Sequence, residues 1–230
     1  MARLRVGIVG VGTIAELHAK GYEHDKRAEI VAVCDRDEDL AIRRALDWGA
    51  RHYYTDFDEM LRNPEIDAIE IVTPHYLHAR QAIAALRAGK HVSVERPIGL
   101  TIEEADQVIQ AGQASGKILQ VFEPCLFYKP LLDARSLIDA NEIGRPVGLR
   151  IDATIGKSTA GVWNFEEGSP EAWRFDPNLA GGSPMLYDIG YQSMCIALFL
   201  IGSIEKIDVW QGTTRIDDRL SIDAPTVAMW

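Results

Sequence analysis

The sequence predicts an α/β fold: an amino-terminal, doubly wound parallel sheet followed by a smaller α+β domain with an open, mainly antiparallel sheet. Three observations predict it. Short runs rich in β-branched residues alternate with helical periods through the first half of the chain. Those runs are largely apolar and lack strict alternation, as expected for strands covered on both faces. After about residue 122 the alternation stops and less regular elements follow.

The strands of the first half are expected at Arg5–Val9, Ile30–Cys34, Ala68–Val72, His91–Val94 and Ile118–Val121. The helices between them are expected at Ile14–Glu23, Glu38–Trp48, Phe57–Leu61, Leu77–Ala88 and Ile102–Ala114. Gly89 and Gly116 follow two of these helices as C′ glycines. Thr101, with Glu104 three residues later, reads as a capping box. Residues 1–122 are thus assigned to the first domain and 123–230 to the second.

In the second domain a helix over Leu131–Ala140 stops at Glu142–Pro146, and a strand is expected over Val147–Ile155. A loop rich in Trp, Gly and Pro covers Gly156–Gly182. A helix over Pro184–Leu200, capped by Ser183, leads to a strand over Ile204–Thr213. Asp223-Ala224-Pro225 reads as a turn before a final strand, Thr226–Trp230. That strand has no partner after it, so it is either an edge strand or, as the sparse sheet favours, the sign of a truncated second sheet in a piece of a longer chain.

Composition narrows the function. Of 230 residues, 24 are Lys or Arg and 34 are Asp or Glu, a net charge of −10. With no basic run longer than Arg43-Arg44, neither nucleic acid nor an anionic membrane surface is an expected partner. The three cysteines, Cys34, Cys125 and Cys195, lie far apart in no metal-ligating or disulfide pattern, so no metal is expected and a reducing cytoplasm fits. No apolar stretch approaches the ~18 residues of a membrane span. The run Val6–Val11 after Arg3 and Arg5 is broken by Gly7 and Gly10 and lacks the cleavage site of a secretory leader.

Gly10-Val11-Gly12-Thr13-Ile14-Ala15 is a G-x-G-x-x-A motif that follows a strand and opens a helix. In that context Gly10 makes the tight turn, Gly12 lets a pyrophosphate approach the backbone, and Ala15 packs the helix close to the strand. Thr13 and Ile14 bring the helix N-terminus to the phosphates. Asp35, at the end of the second strand, is the acid that bonds a ribose hydroxyl of NAD and repels a 2′-phosphate. Arg36 beside it leaves room for NADP. Thr73-Pro74-His75-Tyr76-Leu77-His78 follows the third strand, where loops line the ligand crevice, so Thr73, Pro74, His75 and His78 border the cofactor. The alternative is a helix start in which His78 is packed or solvated.

These motifs, the near-EKP tripeptide Glu95-Arg96-Pro97 and Gly181-Gly182-Ser183 followed by Asp188-Ile189-Gly190, in this order, resemble the Gfo/Idh/MocA family of sugar and polyol oxidoreductases. The resemblance covers the whole chain and implies the Rossmann fold, NAD, a sugar or polyol substrate and a homo-oligomer paired through the second-domain sheet. It implies that Glu95 and Arg96 lie beside the nicotinamide and that the peptide before Pro97 is cis. The family's Lys and His, which handle the substrate hydroxyl, are replaced here by Arg96 and Gln192, while Asp188 is kept.

The replacements matter because oxidising a carbinol needs a group to take the hydroxyl proton. Arginine keeps its proton and glutamine does not titrate. Arg96 is left to stabilise a developing alkoxide, and Gln192 to hydrogen-bond a sugar. Asp188 is four residues before Gln192, on the same face of the expected helix, and is either the candidate base or an acid favoured by the dipole at the helix N-terminus; Tyr187 and Tyr191 form a second such pair. Tyr128 and Trp173, with Trp163, are candidates for substrate contact or for core. The resemblance leaves three functions open: a dehydrogenase, an NAD-binding sensor or subunit that has lost the base, and an NAD-dependent glycoside hydrolase using transient oxidation.

Overall fold

The computed structural model describes residues 3–153, 172–182, 186–215, 221–222 and 226–229. The chain divides into one compact unit up to Phe122 and a second from Glu123 onward. In the first unit the order is β1 (Leu4–Val9), α1 (Thr13–His24), β2 (Ala28–Cys34), α2 (Glu38–Trp48), β3 (His52–Tyr54) and α3 (Phe57–Leu61). Then come β4 (Ala68–Ile71), α4 (His75–Arg87), β5 (His91–Glu95), α5 (Ile102–Ser115) and β6 (Leu119–Phe122).

The six strands form one parallel sheet in the order β3-β2-β1-β4-β5-β6. The order reverses between β1 and β4, so a crevice opens at their carboxyl ends. Both faces of the sheet are covered. Val9, Val31, Ile69, Ile71, Val92 and Val94 pack with α4 residues Ala82, Ala85 and Leu86 and with Val108 of α5. Val6, Ile8 and Val33 pack on the other face with Ala15 and Ala19 of α1 and Ala45 of α2. Two covered faces explain why the apolar runs lack strict alternation, and the alanine stripes let the helices approach the strands closely. Each fully buried Ile or Val contributes roughly 1.5–3 kcal/mol.

The end signals act as expected. Gly89 and Gly116 take φ of 76° and 65° after their helices. The Thr101 hydroxyl accepts from Glu104 N–H at 3.1 Å, while the Glu104 carboxylate accepts from Leu100 N–H at 2.7 Å, one residue before the usual partner. The short β3 was not expected, because three residues are too few to show a strand period.

Among the described residues the second unit holds α6 (Lys129–Asp139), α7 (Pro177–Ala180), α8 (Tyr191–Leu200) and four short strands. These are β7 (Asp208–Gln211), β8 (Thr214–Arg215), β9 (Ser221–Ile222) and β10 (Thr226–Met229). They pair antiparallel as β7 with β10 and β8 with β9. Arg135 of α6 donates to the Phe199 carbonyl at 2.7 Å, joining α6 to the end of α8.

Three expectations need correction. Residues 147–153 form no strand, since none of the described strands pairs with them, and Val147 stands fully exposed at 101%; residues 154 and 155 lie outside the described residues. The strand expected over Ile204–Thr213 is confined to β7, and Gly212-Thr213 separates it from β8. The single helix expected over Pro184–Leu200 is a π-type turn over Leu186–Gly190 followed by α8. Trp163, the Ser183 cap, Pro184 and the Asp223–Pro225 turn lie outside the described residues.

Candidate functional site

The site is built at the reversal of strand order. Gly10 takes φ 81°, and a Cβ there would stand 2.7 Å from the Val72 carbonyl oxygen, so the loops after β1 and β4 touch. Gly10 N–H donates to the Cys34 carbonyl at 2.9 Å. Val11 N–H donates to Asp35 Oδ2 at 3.0 Å, and Asp37 N–H donates to Oδ1 at 3.1 Å. Arg44 Nε of α2 donates to the Val11 carbonyl at 3.3 Å, and its guanidinium pairs with Glu16 and lies 5.6 Å over the Trp48 ring. The glycine loop is thus held from both sides before any ligand arrives.

Gly12 is the N-cap of α1 and has no side-chain cap; a Cβ there would meet nothing within 4 Å. Thr13 and Ile14 form the first turn and Ala15 is fully buried. Open space over Gly12, the positive end of α1 and the Asp35 carboxylate beside the loop fit a dinucleotide: phosphates on the helix, ribose on the acid. Each Asp35 oxygen keeps a second lone pair for that ribose. Arg36 is exposed.

Across the crevice, Pro74 caps α4 and the helix begins at His75, two residues earlier than expected. Thr73 Oγ1 donates to Gln81 Oε1 at 2.6 Å. His78 is completely buried; Nδ1 lies 2.7 Å from the Pro97 carbonyl and Nε2 2.7 Å from the Thr73 carbonyl. It therefore ties the loop after β4 to the loop after β5, with the buried His75 ring 5.6 Å away. The side chains of Glu95 and Arg96 are 16% and 11% exposed, with Arg96 Nε 3.8 Å from Glu95 Oε1, and the Arg96-Pro97 peptide is cis.

A second group of candidates lies in the second unit. Asp188, 5% exposed, accepts from Arg174 Nη1 at 2.6 Å. The Arg174 guanidinium lies 4.6 Å over the Trp173 ring. Gly181, at φ 105°, leaves space that the Tyr187 ring fills. Asp188 sits in the π-type turn, whose bonds run i→i+5, and Gln192 is the second residue of α8. The two therefore do not share one α-helical stripe, and the same break separates Tyr187 from Tyr191. Tyr128, the N-cap of α6, is 62% exposed.

Sequence reading missed Arg44, Arg174 and a buried set formed by His18, Tyr22 and Glu70. All act through contacts far apart in sequence; only the i, i+4 spacing of His18 and Tyr22 was a visible signal. Among the described residues no cluster of three or more His, Cys, Asp or Glu could hold a metal ion, and no helix is long and apolar enough to cross a membrane. The Cys34 thiol in β2 is pushed up to about 12 by burial and by the charges of Asp35 and Asp56.

The chain is similar to known oxidoreductases. Over 143 residues, 62% of the chain, it is 36% identical to the 1-carboxy-3-chloro-3,4-dihydroxycyclo hexa-1,5-diene dehydrogenase of Comamonas testosteroni, covering 36% of that protein. Over 148 residues, 63% of the chain, it is 32% identical to the inositol 2-dehydrogenase of Salmonella paratyphi B, covering 44% of it. The alignments thus span less than half the length of these relatives. The crystal structure of an NAD binding oxidoreductase from Klebsiella pneumoniae superposes with a TM-score of 0.77 at 29% identity, over 93% of this chain and 57% of that one. Residues 4–123 match the model of the GFO_IDH_MocA oxidoreductase family, NAD-binding Rossmann fold. The chain therefore belongs to the Gfo/Idh/MocA oxidoreductase family, with the glycine loop, Asp35 and the Glu95-Arg96-Pro97 loop inside the matched NAD-binding fold.

Proposed function

We propose that the chain carries the NAD site and part of the substrate region of a dehydrogenase acting on a hydroxyl of a sugar, sugar acid or cyclitol. The glycine loop braced by Asp35 carries this reading, because it joins phosphate access at Gly12 to an acid suited to an unphosphorylated ribose. Bound NAD supplies the hydride acceptor. Gly10, Gly12, Thr13 and Ile14 hold its phosphates, Asp35 selects it over NADP, and the loops of Thr73-Pro74 and Glu95-Arg96 border its reactive end. Arg96 stabilises negative charge developing on the substrate oxygen. Gln192 and Asp188 contact substrate hydroxyls, with Arg174 orienting Asp188. Tyr128 and Trp173 offer aromatic faces to the sugar ring.

The domains divide near residue 122. We place the protein in a reducing cytoplasm on its separated thiols and acidic composition. We also propose a homo-oligomer paired through the second-domain sheet, supported by Val209 and Trp210 of β7, which are 42% and 54% exposed. Light scattering after size exclusion tests this, and a clean monomer counts against it.

The test of activity is a stoichiometric assay with NAD and pooled sugars, polyols and sugar acids, following NADH absorbance, with NADH fluorescence titration alongside. A rise in absorbance establishes hydride transfer. Arg96 and Gln192 favour a second reading, a cofactor-binding protein without turnover, which predicts NADH binding and no absorbance change. Arg96→Lys combined with Gln192→His then creates activity if the base alone is missing. Release of an aglycone without net NADH would instead identify a hydrolase.

A further inference from the structure

Three ionisable side chains not used above, His18 and Tyr22 of α1 and Glu70 of β4, form a linked set that reaches Glu95 at the end of β5. His18 of α1 has a side chain only 5% exposed. Its Nδ1 lies 2.7 Å from Glu70 Oε1 of β4, and its Nε2 lies 3.6 Å from Glu95 Oε2 of β5. The second Glu70 oxygen accepts from the Tyr22 hydroxyl at 2.6 Å. The Phe122 ring closes the pocket, 4.5 Å from the imidazole and tilted by 51°. Glu95 in turn faces Arg96. A continuous chain of groups thus runs from buried β4 to the loop bordering the cofactor.

We propose that His18 is a positioning residue for that loop: it acts as a doubly protonated clamp between Glu70 and Glu95, orients Glu95 and Arg96, and makes dinucleotide binding weaken in alkaline solution. This rests on the NAD reading above. Glu70 accepts from Tyr22 and, as a carboxylate, can only accept from Nδ1. A neutral imidazole carrying its one proton on Nδ1 would turn the Nε2 lone pair toward the Glu95 carboxylate, which repels it. A second proton converts that contact into an attraction. The charges facing the ring are Glu70 from β4 and Glu95 from β5; Phe122 of β6 is neutral, Tyr22 is engaged by Glu70, and Arg96 lies beyond Glu95. Burial pulls the His18 titration down, but the Glu70 hydrogen bond and the charges of both carboxylates outweigh it and raise it above the ordinary value. The sign follows: a raised histidine keeps its full contribution below the ordinary histidine titration and loses it as pH rises through its folded titration. The shorter Glu70 contact retains the last proton, so Glu95 is released first.

The test is an NMR titration of the chain labelled in its histidine rings, with the His18 signal assigned by its loss in His18→Gln. NADH affinity is measured by fluorescence across the same pH range. Expected are a midpoint above that of a solvent-exposed histidine, a lower midpoint in Glu95→Gln and Glu70→Gln, and a higher one with NADH present. NADH affinity should weaken roughly tenfold for each pH unit by which NADH raises the midpoint. His18→Gln and Glu95→Gln should flatten that alkaline limb, whereas Tyr22→Phe should keep it. A His18 midpoint unmoved by Glu95→Gln overturns the clamp, as does an alkaline limb that persists in His18→Gln. If His18→Gln does not fold, Glu95→Gln decides by both readouts. Failure of the unaltered chain to bind NADH at any pH overturns the NAD reading and the clamp's role in binding, while the titration still decides the clamp itself.

Discussion

Gly12 and Asp35 show how single atoms divide binding from folding. A Cβ at Gly12 meets no protein atom, so Gly12→Ala should cost no more than about 1 kcal/mol, the penalty of a poorer N-cap. It should still weaken NADH binding about tenfold by standing where the phosphates approach, which thermal melts beside a fluorescence titration will separate. Asp35 accepts from Val11 N–H through one oxygen and from Asp37 N–H through the other, and in the proposed function it also recognises ribose. Asp35→Asn keeps an acceptor for Val11 but turns an NH2 group, which cannot accept, toward Asp37 N–H, and it removes the charge that repels a 2′-phosphate. It should cost about 1 kcal/mol of stability and raise the ratio of NADP to NAD affinity several-fold; an unchanged ratio would show that Asp35 does not select the cofactor. The motif residues were legible because their spacing is local and tied to one turn. Arg44, Arg174 and Glu70 were not, because their partners Val11, Asp188 and His18 lie 33, 14 and 52 positions away.

At the scale of elements, caps and ion pairs set the margins. The Thr101 hydroxyl satisfies the Glu104 N–H at the start of α5, so Thr101→Ala should cost about 1 kcal/mol in chemical denaturation. Arg5 at the start of β1 donates to Asp67 Oδ1 at 2.6 Å and to Oδ2 at 2.9 Å, joining β1 to the chain entering β4. The Arg5 hydrogen bonds hold the Asp67 carboxyl at about 2. A depressed carboxylate contributes stability above its unfolded titration, near 3.9, and loses it as pH falls through the folded one. Asp67→Asn should therefore destabilise by about 1 kcal/mol at neutral pH, with screening of this one-third exposed pair already discounted. The gap from the unaltered chain should close between about pH 4 and pH 2 in denaturant titrations. Most elements of the first unit were legible because helix and strand periods switch cleanly between them. The region of Leu186–Gly190 was not: an i→i+5 turn gives the same apolar run as an α-helix, and only the main-chain bonds distinguish them. Residues 147–153 failed for a different reason, since a β-rich sequence without a pairing partner makes no strand.

For the molecule as a whole, the parallel sheet of the first unit carries apolar cores on both faces, and its switch point sets where a ligand can enter. That much followed from alternation in the sequence, whereas the pairing of β7 with β10 in the second unit joins strands well apart in the chain, which no local pattern encodes. The sulfur in the second strand from one edge of that sheet has a practical consequence. Cys34 is 3% exposed and its titration is pushed up to about 12, so at neutral pH it offers almost no thiolate to an alkylating reagent. It becomes reactive only when the strand leaves its neighbours. The rate at which iodoacetamide marks the peptide containing Cys34, read by mass spectrometry, should therefore fall as NAD is added, by the factor through which the cofactor holds the sheet closed. The residue beside Asp35 is in this sense a built-in clock for how often the nucleotide fold comes apart.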